Sequence, residues 1–256
     1  MFRGRTIAVV VPAYREADKI ADTLRSIPPW VDRVIVVDDA SDDGTAALAL
    51  DALDPSHPCL EVLRHPDNRG VGAAIATGYA RSLALGVDVT AVMAGDGQMH
   101  PDDLPGLLDP VVDGAADYAK GNRLAWPGGW RAMPPLRLAG SFALSWATRI
   151  ASGYWRVFDS QCGYTAASRR TLAAIAPERM FARYGYPNHL LARLGALGAR
   201  VVDVPVRPVY GPAWRSGLRP SRVAWPIARM LARASLARAR LRLTSGRPTT
   251  WQAEGT

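Results

Sequence analysis

The chain holds 256 residues, 48% of them hydrophobic and 21% charged. That is enough apolar content to bury a sizeable core and too much for a disordered polypeptide. Its 31 basic and 23 acidic residues leave a formal charge of +8, which points to a partner bearing negative charge. Cys59 and Cys162, the two cysteines, are too few for a disulfide framework and lack the paired spacing of a zinc site, as expected in a reducing compartment.

In chain order, short β-branched runs alternate with helical patterns. Ile7 to Val11 reads as strand, Ala17 to Ser26 as helix, Arg33 to Val37 as strand and Gly44 to Leu53 as helix. Glu61 to Arg64 reads as strand, Val71 to Leu85 as helix and Val89 to Met93 as strand. Such alternation predicts a mostly parallel sheet covered on both faces, an α/β protein. A helix beginning near His100 follows, then Pro/Gly-rich stretches at Trp126–Trp130 and Met133–Pro135. Helices over 136–152 and 187–197 and a last strand over 199–206 complete the pattern. The apolar Ile7–Val11 run is too short for a signal peptide, and no stretch reaches the roughly 18–20 consecutive apolar residues of a membrane span. A cytoplasmic location is expected.

Ligands of such sheets lie beyond the carboxyl ends of the strands, and polar clusters stand at those positions. Pro12-Ala13-Tyr14-Arg15-Glu16 follows the first strand, Asp38-Asp39-Ala40-Ser41-Asp42-Asp43-Gly44-Thr45 the second, and Ala94-Gly95-Asp96-Gly97-Gln98 the fourth. Adjacent carboxylates such as Asp38 and Asp39 need a metal, a ribose or a base, or strong local donors, to offset their repulsion. Ser41 to Asp43 read as turn residues capping the helix after Gly44. Asp96, between two glycines that let bulky phosphates approach, is placed to hold a divalent cation against a diphosphate. Asn68-Arg69-Gly70-Val71-Gly72-Ala73-Ala74 looks like a phosphate loop but lacks the spacing of one, and close helix–sheet packing through small residues explains it equally well.

These clusters, with Gly121-Asn122-Arg123 and Asp159-Ser160-Gln161-Cys162-Gly163-Tyr164, occur in the order found in family 2 glycosyltransferases. The chain most resembles the branch containing dolichyl-phosphate mannosyltransferases and bacterial polyprenyl-phosphate glycosyltransferases, from about Ile7 to Ser216. The resemblance implies a GT-A fold over residues 1–210, followed by a basic segment over 211–256. It implies Mg²⁺ or Mn²⁺, a nucleotide-sugar donor (GDP-mannose or UDP-glucose) and a polyprenyl phosphate acceptor. By likeness, Pro12, Tyr14, Glu16, Val37, Asp38, Asp39 and Gly95 belong to the nucleotide-sugar site. Asp96 and Gln98 bind metal and diphosphate, Arg123 addresses phosphate or acceptor, and Asp159 and Gln161 face the acceptor. Where relatives often have Asp-x-Asp this chain has Ala94-Gly95-Asp96, so metal affinity without nucleotide should be weak. The basic residues that follow the last strand in relatives are replaced, leaving Arg215 and Arg219 as shifted phosphate donors.

A lipid monophosphate, with a second pKa near 6, attacks the anomeric carbon without a catalytic base. A sugar-hydroxyl acceptor, the alternative, requires one, and Asp159 is the candidate; its competing reading is a loop carboxylate paired with a local arginine. Ten arginines and no acid lie between Val204 and Ala253, which leaves 21 basic against 23 acidic residues elsewhere. On a helical wheel Ile227, Met230, Leu231, Ala234, Ala237 and Leu241 share a face opposite Arg229, Arg233 and Arg240. That helix is expected either to lie peripherally on the anionic inner face of the cell membrane or to pack on the body. A non-catalytic nucleotide-sugar or nucleic-acid binding module is the remaining alternative, although no nucleic acid is expected.

Overall fold

The structure, a computed structural model, describes residues 1–52, 59–133, 135–209 and 227–236. Seven strands form one sheet: β1 (Ile7–Ala13), β2 (Arg33–Asp38), β3 (Cys59–Arg64), β4 (Val89–Val92), β5 (Tyr118–Asn122), β6 (Thr165–Ser168) and β7 (Val201–Pro205). Their order is β3-β2-β1-β4-β6-β5-β7. The first four run parallel, β6 runs antiparallel to both β4 and β5, and β7 is parallel to β5. The expected α/β architecture with a mostly parallel central sheet is what forms.

The apolar runs fill both faces of the sheet, as a covered parallel sheet demands. On β1 and β2, Ile7, Val9, Val11, Val34 and Val36 join one core with Leu24 of α1 (Ile20–Ser26) and Leu104, Leu107 and Leu108 of α4 (Leu104–Val112). Ala8, Val10, Ile35 and Val37 join the other, with Ile75 and Tyr79 of α3 (Val71–Ala84) and Leu190 and Leu194 of α8 (Tyr186–Leu197). The remaining helices are α2 (Thr45–Asp51), the short α5 (Gly129–Ala132), α6 (Pro135–Ser152) and α7 (Arg169–Ile175).

The glycine-rich stretch at the start of α3 is packing. A Cβ on Gly72 would lie 2.0 Å from the Phe181 carbonyl oxygen, and one on Gly78 2.2 Å from Val10 Cγ1. The Ala73 amide donates to the Ala182 carbonyl at 2.9 Å.

The tail helix, described over 227–236, packs its apolar side against α6: Ile227 and Leu231 are buried in a cluster with Ala151, flanked by Leu144, Ala147, Met230 and Ala234. This corrects the expectation that the same face lies on a membrane, because its apolar residues already have a protein partner. Arg229 and Arg233 remain exposed. Ala237, Arg240 and Leu241, like most of 211–256, lie outside the described residues. Among the described residues no helix is long and apolar enough to cross a membrane.

Candidate active site

Strand direction brings five polar clusters to one edge. The parallel strands β1, β2 and β4 deliver Pro12–Glu16, Asp38–Thr45 and Ala94–Gln98 there. Because β6 is antiparallel, with Thr165 opposite Val92 and Lys120, the segment that precedes it, Asp159–Tyr164, enters at the same edge. Gly121–Arg123, leaving β5, joins it.

The loop after β2 is built around its two aspartates. Asp38, fully buried, accepts the Ser41 amide at 3.3 Å and pairs with Arg64 at 3.2 Å. Asp39, 2% exposed, accepts the Arg69 and Gly70 amides at 2.9 and 2.7 Å and meets His65 Nδ1 at 2.7 Å. Of about four lone-pair directions on that carboxylate, these three leave one for a ligand. Ser41 and Asp42 do not cap α2. The Ser41 hydroxyl accepts the Arg15 amide at 2.9 Å and Asp42 pairs with the Arg15 guanidinium at 2.6 Å. Asp43 accepts the Thr45 and Ala17 amides, and the Thr45 hydroxyl accepts the Glu16 amide at 2.9 Å. These bonds tie the second loop to the first and hold Arg15 in a left-handed conformation (φ 57°). Tyr14, 42% exposed, is left at the edge with the Arg15 guanidinium carbon over its ring, 5.5 Å from the centroid. Val37 is buried in the core, so only its backbone is placed to meet a ligand.

Glu16 and Asp96 face the crevice between β1 and β4, where the strand order reverses. Burial, together with the negative charge of Asp96, pushes the Glu16 carboxyl up to about 7. A carboxyl made costly to ionise by burial and by a neighbouring carboxylate has the surroundings a divalent cation relieves, so the residues fit one. Asp96 and Gln98 would hold it, with Gly97 at φ 71° and the Gln98 amide donating to Asp96 Oδ1 at 3.0 Å. A Cβ on Gly95 would come within 3.1 Å of Ile20 and 3.3 Å of Ala13. Among the described residues no three His, Cys, Asp or Glu side chains gather as a metal site.

Asp159 is fully buried, and Arg123 grips it: Nε to Oδ2 at 2.7 Å, Nη2 to Oδ1 at 2.9 Å and the backbone amide to Oδ2 at 3.2 Å. Burial alone would raise this carboxyl, but the charge and hydrogen bonds of Arg123, helped by Lys120, hold it below the usual value. A general base near neutral pH needs the opposite, so the base reading of Asp159 gives way to a positioning one. Gly129 closes the turn over Arg123: a Cβ there would sit 2.0 Å from the Arg123 carbonyl oxygen. Gln161 does not point freely to an acceptor, because its amide nitrogen donates to Ser160 Oγ at 2.8 Å and Asn188 Oδ1 at 2.7 Å.

Lys120 and Asp203 escape a reading of the sequence, one hidden in an unrecognised strand and the other in a β-branched run. Lys120 is fully buried, donates to the Cys162 carbonyl, and has its pKa lowered by burial against the pull of Asp159 and Asp203. Asp203 accepts Asn122 Nδ2 and the Phe158 amide, each at 2.7 Å, and burial raises its carboxyl to about 6. Arg215 and Arg219 lie outside the described residues. Arg207, just past β7, pairs with Asp102 and Asp103 and lies over the Trp126 ring, 5.3 Å from its centroid.

The chain is similar to known proteins in sequence and in fold. The undecaprenyl-phosphate mannosyltransferase of Micrococcus luteus is 34% identical over 204 residues, 78% of this chain and 82% of that protein. The polyprenol monophosphomannose synthase of Mycolicibacterium smegmatis is 33% identical over 204 residues, 77% and 75% of the two chains. Among solved structures, glucosyl-3-phosphoglycerate synthase from Mycobacterium tuberculosis, with Mn²⁺, UDP-glucose and phosphoglyceric acid, superposes with a TM-score of 0.64 at 25% identity. That match covers 93% of this chain and 80% of the other. The fold is GT-A. The model of the family described as "Glycosyl transferase family 2" matches residues 8–175, and the chain belongs to that family.

Proposed function

We propose that the protein is a metal-dependent, inverting hexosyltransferase that moves a sugar from a nucleotide diphosphate to a polyprenyl phosphate at the cytosolic face of a membrane. Tyr14, Glu16, the Val37 backbone and Asp39 bind the nucleoside, and Asp96 and Gln98 hold a Mg²⁺ or Mn²⁺ ion against the diphosphate. When bound, that ion supplies positive charge for the leaving nucleoside diphosphate. Arg123, aimed by Asp159, offers fixed donors to phosphate oxygens without reorganisation during the reaction.

The observation that carries the acceptor assignment is the Arg123–Asp159 pair. It consumes the carboxylate a hydroxyl acceptor would need as base, and a phosphate monoester, ionised near neutral pH, needs none. The relatives named for undecaprenyl-phosphate and polyprenol products support the same acceptor class.

The test is incubation of the purified chain with Mn²⁺ or Mg²⁺, a short polyprenyl phosphate and labelled GDP-mannose, UDP-glucose or UDP-N-acetylglucosamine. Organic extraction should recover a lipid-linked sugar, and Asp96→Asn should lower its rate by roughly a hundredfold or more. Sugar transfer to a free sugar hydroxyl with none to the lipid would replace this reading with the hydroxyl-acceptor one.

A further inference from the structure

Asp203 is a carboxylate where the strand pattern calls for an apolar side chain. On β7, Val202 and Val204 pack against the core on one face of the sheet and Val201 against the core on the other. Alternation puts Asp203 on the second face, directly across from Lys120 of β5 in the parallel register. Desolvating a carboxylate there costs free energy unless hydrogen bonds offset it. Both bonds that Asp203 accepts fall on one oxygen, Oδ2, and both donors are neutral: Asn122 Nδ2 and the Phe158 amide, each at 2.7 Å. Among the described residues the other oxygen, Oδ1, is buried without a partner.

The two donors stand at telling places in the chain. Asn122 immediately precedes Arg123, and Phe158 immediately precedes Asp159. One oxygen therefore ties together the two segments whose next residues form the Arg123–Asp159 pair. Asn122 carries the constraint onward, because its Oδ1 accepts the Leu124 and Ala125 amides at 3.0 and 3.1 Å and so shapes the loop that leaves β5 with Arg123 inside it. Asn122 is buried, and its amide has no solvent to turn to if the carboxylate is lost. Across the register, Lys120 donates to the Cys162 carbonyl, which fixes the far end of the loop that Phe158 begins.

We propose that Asp203 is a positioning residue for sugar transfer: by holding Asn122 and the Phe158 backbone on one oxygen, it sets the β5 loop against the 158–162 loop and so aims the Arg123 guanidinium. It acts through these neighbours rather than on a ligand. The inference deepens the transferase reading and rests on it for the role of Arg123. A guanidinium that meets phosphate oxygens without reorganising depends on such support, since a displacement of about 1 Å can cost about a hundredfold in rate.

The test compares Asp203→Asn with Asp203→Ala. Asparagine can place its carbonyl oxygen where Oδ2 lies, keep both donors, and leave its amide nitrogen in the position of the unpartnered Oδ1; alanine removes the acceptor. With the labelled donors and a short polyprenyl phosphate at neutral pH, Asp203→Asn should keep kcat within about threefold of wild type, and Asp203→Ala should lose roughly tenfold to a hundredfold. In an Arg123→Gln background the same alanine should cost less than about threefold more, because the group it aims is gone. A change that merely weakened the fold would lower turnover equally in both backgrounds. Hydrogen exchange reads the latch without substrate: the Leu124, Ala125 and Phe158 amides should exchange roughly tenfold or more faster in Asp203→Ala than in wild type or Asp203→Asn. Asn122→Ala removes the donor instead of the acceptor and should show the same loss of turnover, which keeps the test decisive if Asp203→Ala does not fold.

The proposal is overturned if Asp203→Asn loses turnover as deeply as Asp203→Ala at unchanged Tm, if the alanine penalty persists in full without Arg123, or if the three amides exchange as in wild type. A wild type that makes no lipid-linked sugar while those amides respond as stated would sink the proposed function and leave the latch standing. Lipid-linked sugar made at the wild-type rate by Asp203→Ala would do the reverse.

Discussion

Replacing Asp159 by Asn separates positioning from proton transfer. The side chain is fully buried and Arg123 is 11% exposed, so solvent screens the pair little. Breaking a buried pair from one side leaves the other charge uncompensated, which costs about 3–5 kcal/mol. At roughly 2–4 °C per kcal/mol for a domain of this size, Tm should fall by about 6–20 °C. The sign with pH follows from the lowered carboxyl: the pair's contribution is complete above the unfolded-state pKa and is lost as pH falls through the folded one. The Tm gap between wild type and variant should therefore close in acid. Adding Arg123→Gln to Asp159→Asn should cost much less than the sum of the two single changes, since the double variant leaves no unpaired guanidinium. Calorimetry across pH, with turnover measured on each variant, checks this. An Asp159→Asn protein with unchanged Tm and no turnover would refute the argument and restore Asp159 as a base.

Gly72→Ala should lower stability by about 1–3 kcal/mol, as overpacking against a backbone does, while leaving nucleotide affinity unchanged in the folded protein; isothermal titration would expose a phosphate loop if affinity collapsed instead. Asp203 has its carboxyl raised to about 6, so wild-type stability should decline as pH rises from about 4 to 6. Asp203→Asn should remove its share of that slope, leaving the share of Glu16, and equal or exceed wild type at pH 7, by about 3 kcal/mol at most. Asp39→Asn turns an amide nitrogen toward the Arg69 and Gly70 donors or toward His65, and should cost about 1–3 kcal/mol along with nucleotide affinity, read by urea titration and thermal shift.

The parallel half of the fold was legible because its signals are local. Val9, Val36 and Val92 sit in β-branched runs, and the residues that follow each run are the ones the sheet presents. The other half was not. Tyr118-Ala-Lys-Gly-Asn122 and Thr165-Ala-Ala-Ser168 lack β-branched density, and they are strands because each pairs with a neighbour already in place. Missing them also hid the antiparallel entry of β6, without which Arg123 and Asp159, 36 positions apart, give no sign of meeting. Ser41 and Asp42 failed differently. Their residue types suit a cap, but donors on the β1 loop compete for them, and those donors are 26 and 27 positions away.

The net charge of +8 does not describe one basic tail on a neutral body. The acid-free segments 118–158 and 204–253 hold sixteen of the 31 basic residues, which leaves fifteen against all 23 acids in the rest of the chain. These segments, remote in sequence, meet where the 227–236 helix packs on α6. The remainder includes Glu16, Asp38, Asp39 and Asp96, the carboxylates at the ends of β1, β2 and β4. Such a division suits a transferase with two anionic ligands of different kinds. A nucleotide diphosphate arriving with a divalent cation is tolerated among carboxylates, because the cation pairs with both. A phosphate fixed in a bilayer brings no cation of its own and must be met by arginine. The acid-free stretches 118–158 and 204–253 thus hold about half of the basic residues in parts of the sequence separate from the carboxylates that end β1, β2 and β4.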